Sequence, residues 1–218
     1  MADPLLPLDF FALRTPRAAD LASLTVLAAP FGFSFLATLF LQRVQHHSAL
    51  ETGLALLPGA LLSAVVSRYA APVLVNRLGL RASAVGGLLV VAAGFAMLLR
   101  MDPEVTYVAM MLPASIVCLG LGMGVAYPVF TVAAVTDVPD DRQGLAAGIQ
   151  STALQVGGGF GLAVVSAAVA AGGGGTADVA SLRAGALVGM LLALCGAIVA
   201  FGGLRETSRE LQSEAVEA

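Results

Sequence analysis

Few residues in this sequence could do chemistry, and most stand inside or beside apolar runs. Gln150, Ser151, Thr152 and Gln155 are neutral polar side chains within one such run. Ser151 and Gln155 lie four positions apart and share a helical face. These groups can hydrogen-bond a substrate or a facing helix, which is the chemistry of a polar lining rather than of proton transfer. Arg68 is a lone charge in another apolar stretch; it reads either as a snorkelling arginine at a helix end or as a buried, substrate-facing cation. His46 and His47 titrate near physiological pH and read as surface residues, with proton sensing as the alternative. Cys118 and Cys195 both sit in apolar runs and are expected in the core. HExxH, GxSxG, a phosphate-binding Gly-Lys-Ser/Thr loop and a Cys/His cluster at metal spacing are all missing from the sequence. Gly120-x-Gly122-x-Gly124 follows no soluble strand. The expectation is no enzyme, no catalytic residues, no metal and no cofactor.

The composition dictates what must position these groups. Charged residues make up 11% of 218, against roughly 25% in ordinary soluble domains, and the mean hydropathy is +0.92. A soluble globular fold is excluded on that ground. A net charge of -3 without a basic cluster argues against a nucleic-acid partner. The 11 cations are all arginine. Five charge-free stretches, and a sixth interrupted only by Arg68, each hold the ~20 apolar residues that cross a bilayer core. They predict six spans: Leu21 to Leu41, Gly53 to Val75, Ser83 to Leu99, Tyr107 to Phe130, Leu145 to Ala171 and Ala184 to Leu204. The expected fold class is all-α integral membrane. The domains are a segment over 1–20, a transmembrane domain over 21–204 and a tail over 205–218.

An even number of spans puts both termini on one side. Eight arginines fall on the terminus side and three on the other, which predicts both termini in the cytoplasm of a cell-membrane protein. The first twenty residues, with their acids and prolines, are not expected to be a signal peptide. No carboxylate falls mid-span, so a group that titrates inside the membrane is missing from the sequence.

Small residues dominate the expected helix contacts. Gly120 and Gly124, Gly144 and Gly148, and Gly157 and Gly161 form GxxxG pairs, which let helices approach closely in lipid. The run Gly157-Gly158-Gly159 suggests a helix that bends or slides. Pro30, Pro58, Pro113 and Pro128 favour kinks. Thr52-Gly53-Leu54-Ala55 and Gln143-Gly144-Leu145-Ala146 open the second and fifth spans alike, a faint 3+3 inverted repeat of transporter type.

In order, the segments Pro4 to Arg17 (PLLPLDFFALRTPR), Phe40 to Leu61 (FLQRVQHHSALETGLALLPGAL), Asn76 to Arg81 (NRLGLR), Gly120 to Thr131 (GLGMGVAYPVFT) and Val138 to Val165 (VPDDRQGLAAGIQSTALQVGGGFGLAVV) resemble the C-terminal half of a major facilitator superfamily transporter. More narrowly, they resemble the fourteen-helix drug:proton antiporter branch, the EmrB/QacA type. The resemblance implies a six-helix half built as a 3+3 inverted repeat, and a multidrug exporter driven by a proton gradient. It also implies that an N-terminal half is required as partner and carries the proton-coupling acid. The other implied partners are the lipid bilayer and small lipophilic substrates, cations among them. Asn76, Arg77, Gly79 and Arg81 fall on the family's loop motif, where an Asp normally stands at the position of Asn76. That replacement weakens a charge-assisted contact to a neighbouring helix. Arg77 and Arg81 are expected either to pair with Asp137, Asp140 or Asp141 or to be solvated. The alternative to a transporter half is a non-transporting remnant or a membrane assembly partner.

Overall fold

The computed structural model describes residues 24–104, 106–136, 138–139, 142–172 and 178–204. Among the described residues, five helices are long and apolar enough to cross a membrane: α1 (Leu24–Val44), α2 (Ala49–Leu98), α3 (Met111–Val135), α4 (Gln143–Gly172) and α5 (Val179–Gly203). The expected segments 1–20 and 205–218 lie outside the described residues. The start of α3 is later than the expected Tyr107. Pro113 then falls in the first turn, where its missing N–H has no intrahelical partner to lose.

Local chemistry sets the helix starts. Ser48 Oγ accepts from the Glu51 backbone N–H at 3.2 Å while Glu51 Oε2 accepts from the Ser48 N–H at 2.7 Å, a reciprocal capping box that opens α2. Asp178 caps α5 by accepting from the Ser181 N–H at 2.9 Å. That bond holds the exposed Asp178 carboxyl below the usual carboxylate range.

α2 is 50 residues long, and Gly79 interrupts it with φ 85° and ψ 167°. Only glycine populates this region without strain. The two arms flanking Gly79 meet α3 in opposite senses. Before the break, Gly59 abuts Ser115, Leu62 abuts Gly120 and Val66 abuts Gly124, so the chains advance together. After it, Ala126 abuts Gly87, Val91 abuts Gly122 and Cys118 abuts Gly94, so they run oppositely. α1 and α4 advance together, Leu24 beside Gly157 and Ala28 beside Gly161.

The buried core joins all five helices. Phe33 of α1 meets Phe95 of α2 edge-on, with centroids 6.0 Å apart, and Leu36, Leu88, Leu98 and Leu182 are fully buried around them. Helices approach through small residues, as packing in lipid requires. The outward faces are also apolar: Leu54, Leu61, Ile198 and Phe201 are all exposed. That inside-and-outside apolarity belongs to a membrane-embedded bundle.

One expectation changes. Cys195 is exposed, in contrast to buried Cys118, because it falls on the outward side of α5, where apolar character no longer signals core. α4 runs as one helix of 30 residues through Gly157-Gly158-Gly159. Gly157 and Gly158 there admit α1 to close contact, and Gly159 has open space around it.

Candidate functional site

Three cavities follow one another along the seam between the first arm of α2 and α3. The first, of about 430 Å³, is bounded by His47, Glu51, Pro58, Tyr107 and Leu112. The second, of about 370 Å³, draws on α1 as well, with Ser34, Ser63, Ser67, Met123 and Tyr127 in its wall. The third, of about 230 Å³, lies between Pro72, Val75, Asn76, Pro128 and Val132. From Glu51 to Asn76 a helix rises about 38 Å, more than the ~30 Å hydrocarbon core.

Sequence spacing explains how the polar groups converge. Ala60, Ser63 and Ser67 stand at i, i+3 and i+7, one stripe of a helix. Ser34 reaches the same space from α1 and Tyr127 from α3. Close to this stripe the α2 helix widens over Val66–Ala70, where the Ala71 N–H reaches back five residues to the Val66 carbonyl. Pro72 follows, and it would crowd a regular turn because its ring meets the carbonyl four residues before it; the wider turn relieves that crowding. A second widened stretch, Ile116–Met123 of α3, packs against the part of α2 just before the first. Such widened turns recur at functional sites.

The wall of the middle cavity is made of hydroxyls, a thioether, the Tyr127 ring and aliphatic groups, with no charge among its lining residues. It can hydrogen-bond a substrate and shed water from apolar surface. The first cavity differs: His47 Nδ1 lies 3.6 Å from Glu51 Oε2, and Tyr107 donates its hydroxyl to the Ala55 carbonyl at 2.5 Å.

The residues singled out from the sequence are dispersed. Gln150 is 3% exposed, and its Nε2 finds no hydrogen-bond partner among the described residues. Ser151, Thr152 and Gln155 are exposed on the other side of α4, and the Thr152 hydroxyl is spent on the Gly148 carbonyl at 3.0 Å. Neither these four nor Arg68 is in the wall of the middle cavity; Arg68 is exposed in the widened turn beside Ser67. Of the loop-motif residues, Asn76 lines the third cavity and Arg77 is exposed. Gly79 makes the break. Arg81 stacks its guanidinium 3.9 Å above the Phe201 ring, tying this turn to the end of α5. Asp137, Asp140 and Asp141 lie outside the described residues. Sequence reasoning missed Ser34, Ser63, Ser67 and Tyr127. The i, i+3, i+7 stripe was visible, but not the helix it faces.

The model of the Major Facilitator Superfamily matches residues 4–162. The puromycin resistance protein pur8 of Streptomyces alboniger is 36% identical over 166 residues, covering 75% of this chain and 33% of that protein. The multidrug resistance protein Stp of Mycobacterium tuberculosis is 33% identical over 176 residues, 78% of this chain and 31% of its own length. The cephamycin export protein CmcT of Amycolatopsis lactamdurans is 32% identical over 191 residues, 87% and 39%. The chain thus spans about a third of the length of the curated relatives it matches. Apolar helices on every side of the core, and a family match covering most of the sequence, lead to one conclusion: this is a multi-pass membrane protein that belongs to the Major Facilitator Superfamily.

Proposed function

We propose that this chain supplies the C-terminal six-helix half of a proton-coupled exporter of small lipophilic compounds, of the fourteen-helix EmrB/QacA type. The observation that carries the proposal is the α2–α3 seam, a file of cavities longer than the hydrocarbon core and lined at its middle by hydroxyls. Two contact registers support six crossings. α1 and α4 advance together, which a strict alternation of five crossings forbids. If Gly79 reverses the chain, α1 and α4 become the first and fifth of six and the parallel register follows. Two triplets related by inversion then account for the like starts at Thr52 and Gln143. The names of the relatives, resistance and export proteins, support the direction and the class of cargo.

In this reading an N-terminal half closes the seam from the other side. The described carboxylates near the spans, Glu51, Asp102, Glu104 and Asp178, stand at helix starts or in connections, so the proton-carrying acid is assigned to that other half. Gln150, Ser151, Thr152, Gln155 and Arg68 are placed along helices that meet it. Asn76, Arg77, Gly79, Arg81 and Asp137 form the gating loops on the cytoplasmic side, with both termini.

The test is dye efflux in efflux-deficient cells expressing this chain with and without its upstream coding sequence, with and without a protonophore. Protonophore-sensitive efflux only with the upstream partner is the expected result. Coupled efflux from the 218-residue chain alone would overturn the half-transporter reading. No efflux in either case points to a remnant or an assembly partner instead.

A further inference from the structure

Hydroxyls along these helices are used in two ways. Away from the seam's middle they are spent on their own backbone: Thr131 donates to the Tyr127 carbonyl at 3.0 Å, Thr136 to Val132 at 2.9 Å and Thr152 to Gly148 at 3.0 Å. At the middle cavity that pattern stops. Among the described residues, no hydrogen bond engages the hydroxyl of Ser34, Ser63, Ser67 or Tyr127, although a helical serine can bond back to a carbonyl of the preceding turn. The backbone adds an acceptor beside them. The Ala71 N–H is taken by the Val66 carbonyl, and residue 72 is a proline without an N–H. Neither a regular nor a widened turn then supplies a donor to the Ser67 carbonyl, and in a spanning segment such a group calls for one from outside the helix.

Charge points the same way. The lining carries none, and the nearest charge along α2 is Arg68, next to Ser67 and exposed in the widened turn. Glu51 stands a helical rise of about 24 Å before Ser67. A cation entering here loses water without gaining a counter-ion from this chain and meets a like charge.

We infer that the middle cavity selects uncharged lipophiles carrying both hydrogen-bond donors and acceptors. Ser34, Ser63, Ser67 and Tyr127 are the specificity-determining hydroxyls, the Ser67 carbonyl is the acceptor that asks for a donor, and Arg68 turns cations away. Ser63 and Ser67 stand one turn apart and read two groups about 6 Å apart on one edge of the ligand. Ser34 and Tyr127 approach from two other helices. A ligand without matching groups leaves the site's polar atoms unpaired, which is a stronger ground for rejection than a misfit of apolar surface. A cavity of about 370 Å³ is within the size range of small-molecule sites. The inference rests on the exporter reading for the role of such a ligand as cargo; the selection itself does not depend on export.

The test is displacement, which reads this site alone. The full chain in zwitterionic nanodiscs is loaded with tritiated estradiol, an uncharged lipophile with a hydroxyl at each end, and empty nanodiscs are subtracted. The competitors are unlabelled estradiol, its dimethyl ether, which accepts but cannot donate, and tetraphenylphosphonium. The ether is expected to displace the label about fivefold less well than estradiol, the worth of one hydrogen bond, and the cation less well still. Ser63→Ala and Ser67→Ala are each expected to weaken estradiol by a similar factor, and Ser63→Thr, which keeps the hydroxyl, to retain it. Arg68→Gln is expected to improve displacement by the cation about threefold and to leave estradiol unchanged. Displacement by the cation or the ether equal to that by estradiol overturns the inference, as does unaltered estradiol binding when Ser63 and Ser67 are both alanine, or the absence of saturable estradiol binding. If displacement behaves as stated while efflux fails in every pairing, the selection survives and the exporter reading does not. If paired efflux runs while the cation competes as well as estradiol, the inference alone falls.

Discussion

At Gln150 the structure keeps an amide donor almost fully buried without a described partner. An unpaired buried polar group costs about 1–3 kcal/mol, so Gln150→Met is expected to leave thermal stability in detergent unchanged or raise it by about 1 kcal/mol. If Gln150 serves the transport pathway of the proposed exporter, the same variant loses efflux in the paired system while the protein stays folded. Asp178 provides a second readout. Its carboxyl titrates below the usual range because the Ser181 N–H stabilises the charged form. The stability it lends is therefore present above the ordinary carboxylate pKa and is lost as pH falls through the lower, folded value. Hydrogen exchange at the first turn of α5 is expected to quicken in acid, and Asp178→Asn, which still caps, is expected to flatten that dependence. The polarity of these residues was legible in the sequence; their burial was not. Gln150 and Ser151 are adjacent, yet one is buried and the other exposed, because a helix turns about 100° per residue and only the positions of the helices packed on α4 decide which side is inside.

Between the arms of α2, Gly79 has the clearest elemental role. Its φ of 85° and ψ of 167° lie where a side chain costs on the order of 1–3 kcal/mol. Gly79→Ala is expected to lower the melting temperature and the yield of folded protein. Gly53→Ala is its control: that position has nothing within 4 Å, and alanine gains up to about 1 kcal/mol of helix propensity, so stability is expected to hold or rise. At the seam itself, cysteine placed at Ser34, Ser63 or Ser67 in a cysteine-free background is expected to react with a small maleimide faster than one at buried Ser83. Bound lipophilic drug is expected to slow the first three only. The helices were legible as elements because a hydrocarbon core demands ~20 apolar residues between charges. The widened turns at Val66–Ala70 and Ile116–Met123 were not, since the same proline can be met by a kink, a wide turn or a changed neighbour.

As a whole molecule, the chain shows what composition fixes and what it leaves open. Eleven per cent charge and long uncharged runs determine a helical membrane protein, because every backbone group in lipid must bond within its own segment or barrel. The ordered motifs from Pro4 onward determine the family, and the match over residues 4–162 agrees with them. Contact register, close approaches and the seam are decisions of the tertiary structure. Between two apolar helices in lipid there is little hydrophobic drive, and the choice of partner falls to which small residues can meet which backbone. Gly157 and Gly161 do so against α1, whereas Gly144 and Gly148, the same pattern on the same helix, face open space. For that reason the medium, the elements and the family are legible from the residues alone, while the convergence of Ser34, Ser63, Ser67 and Tyr127 on one cavity exists only once three helices are brought together.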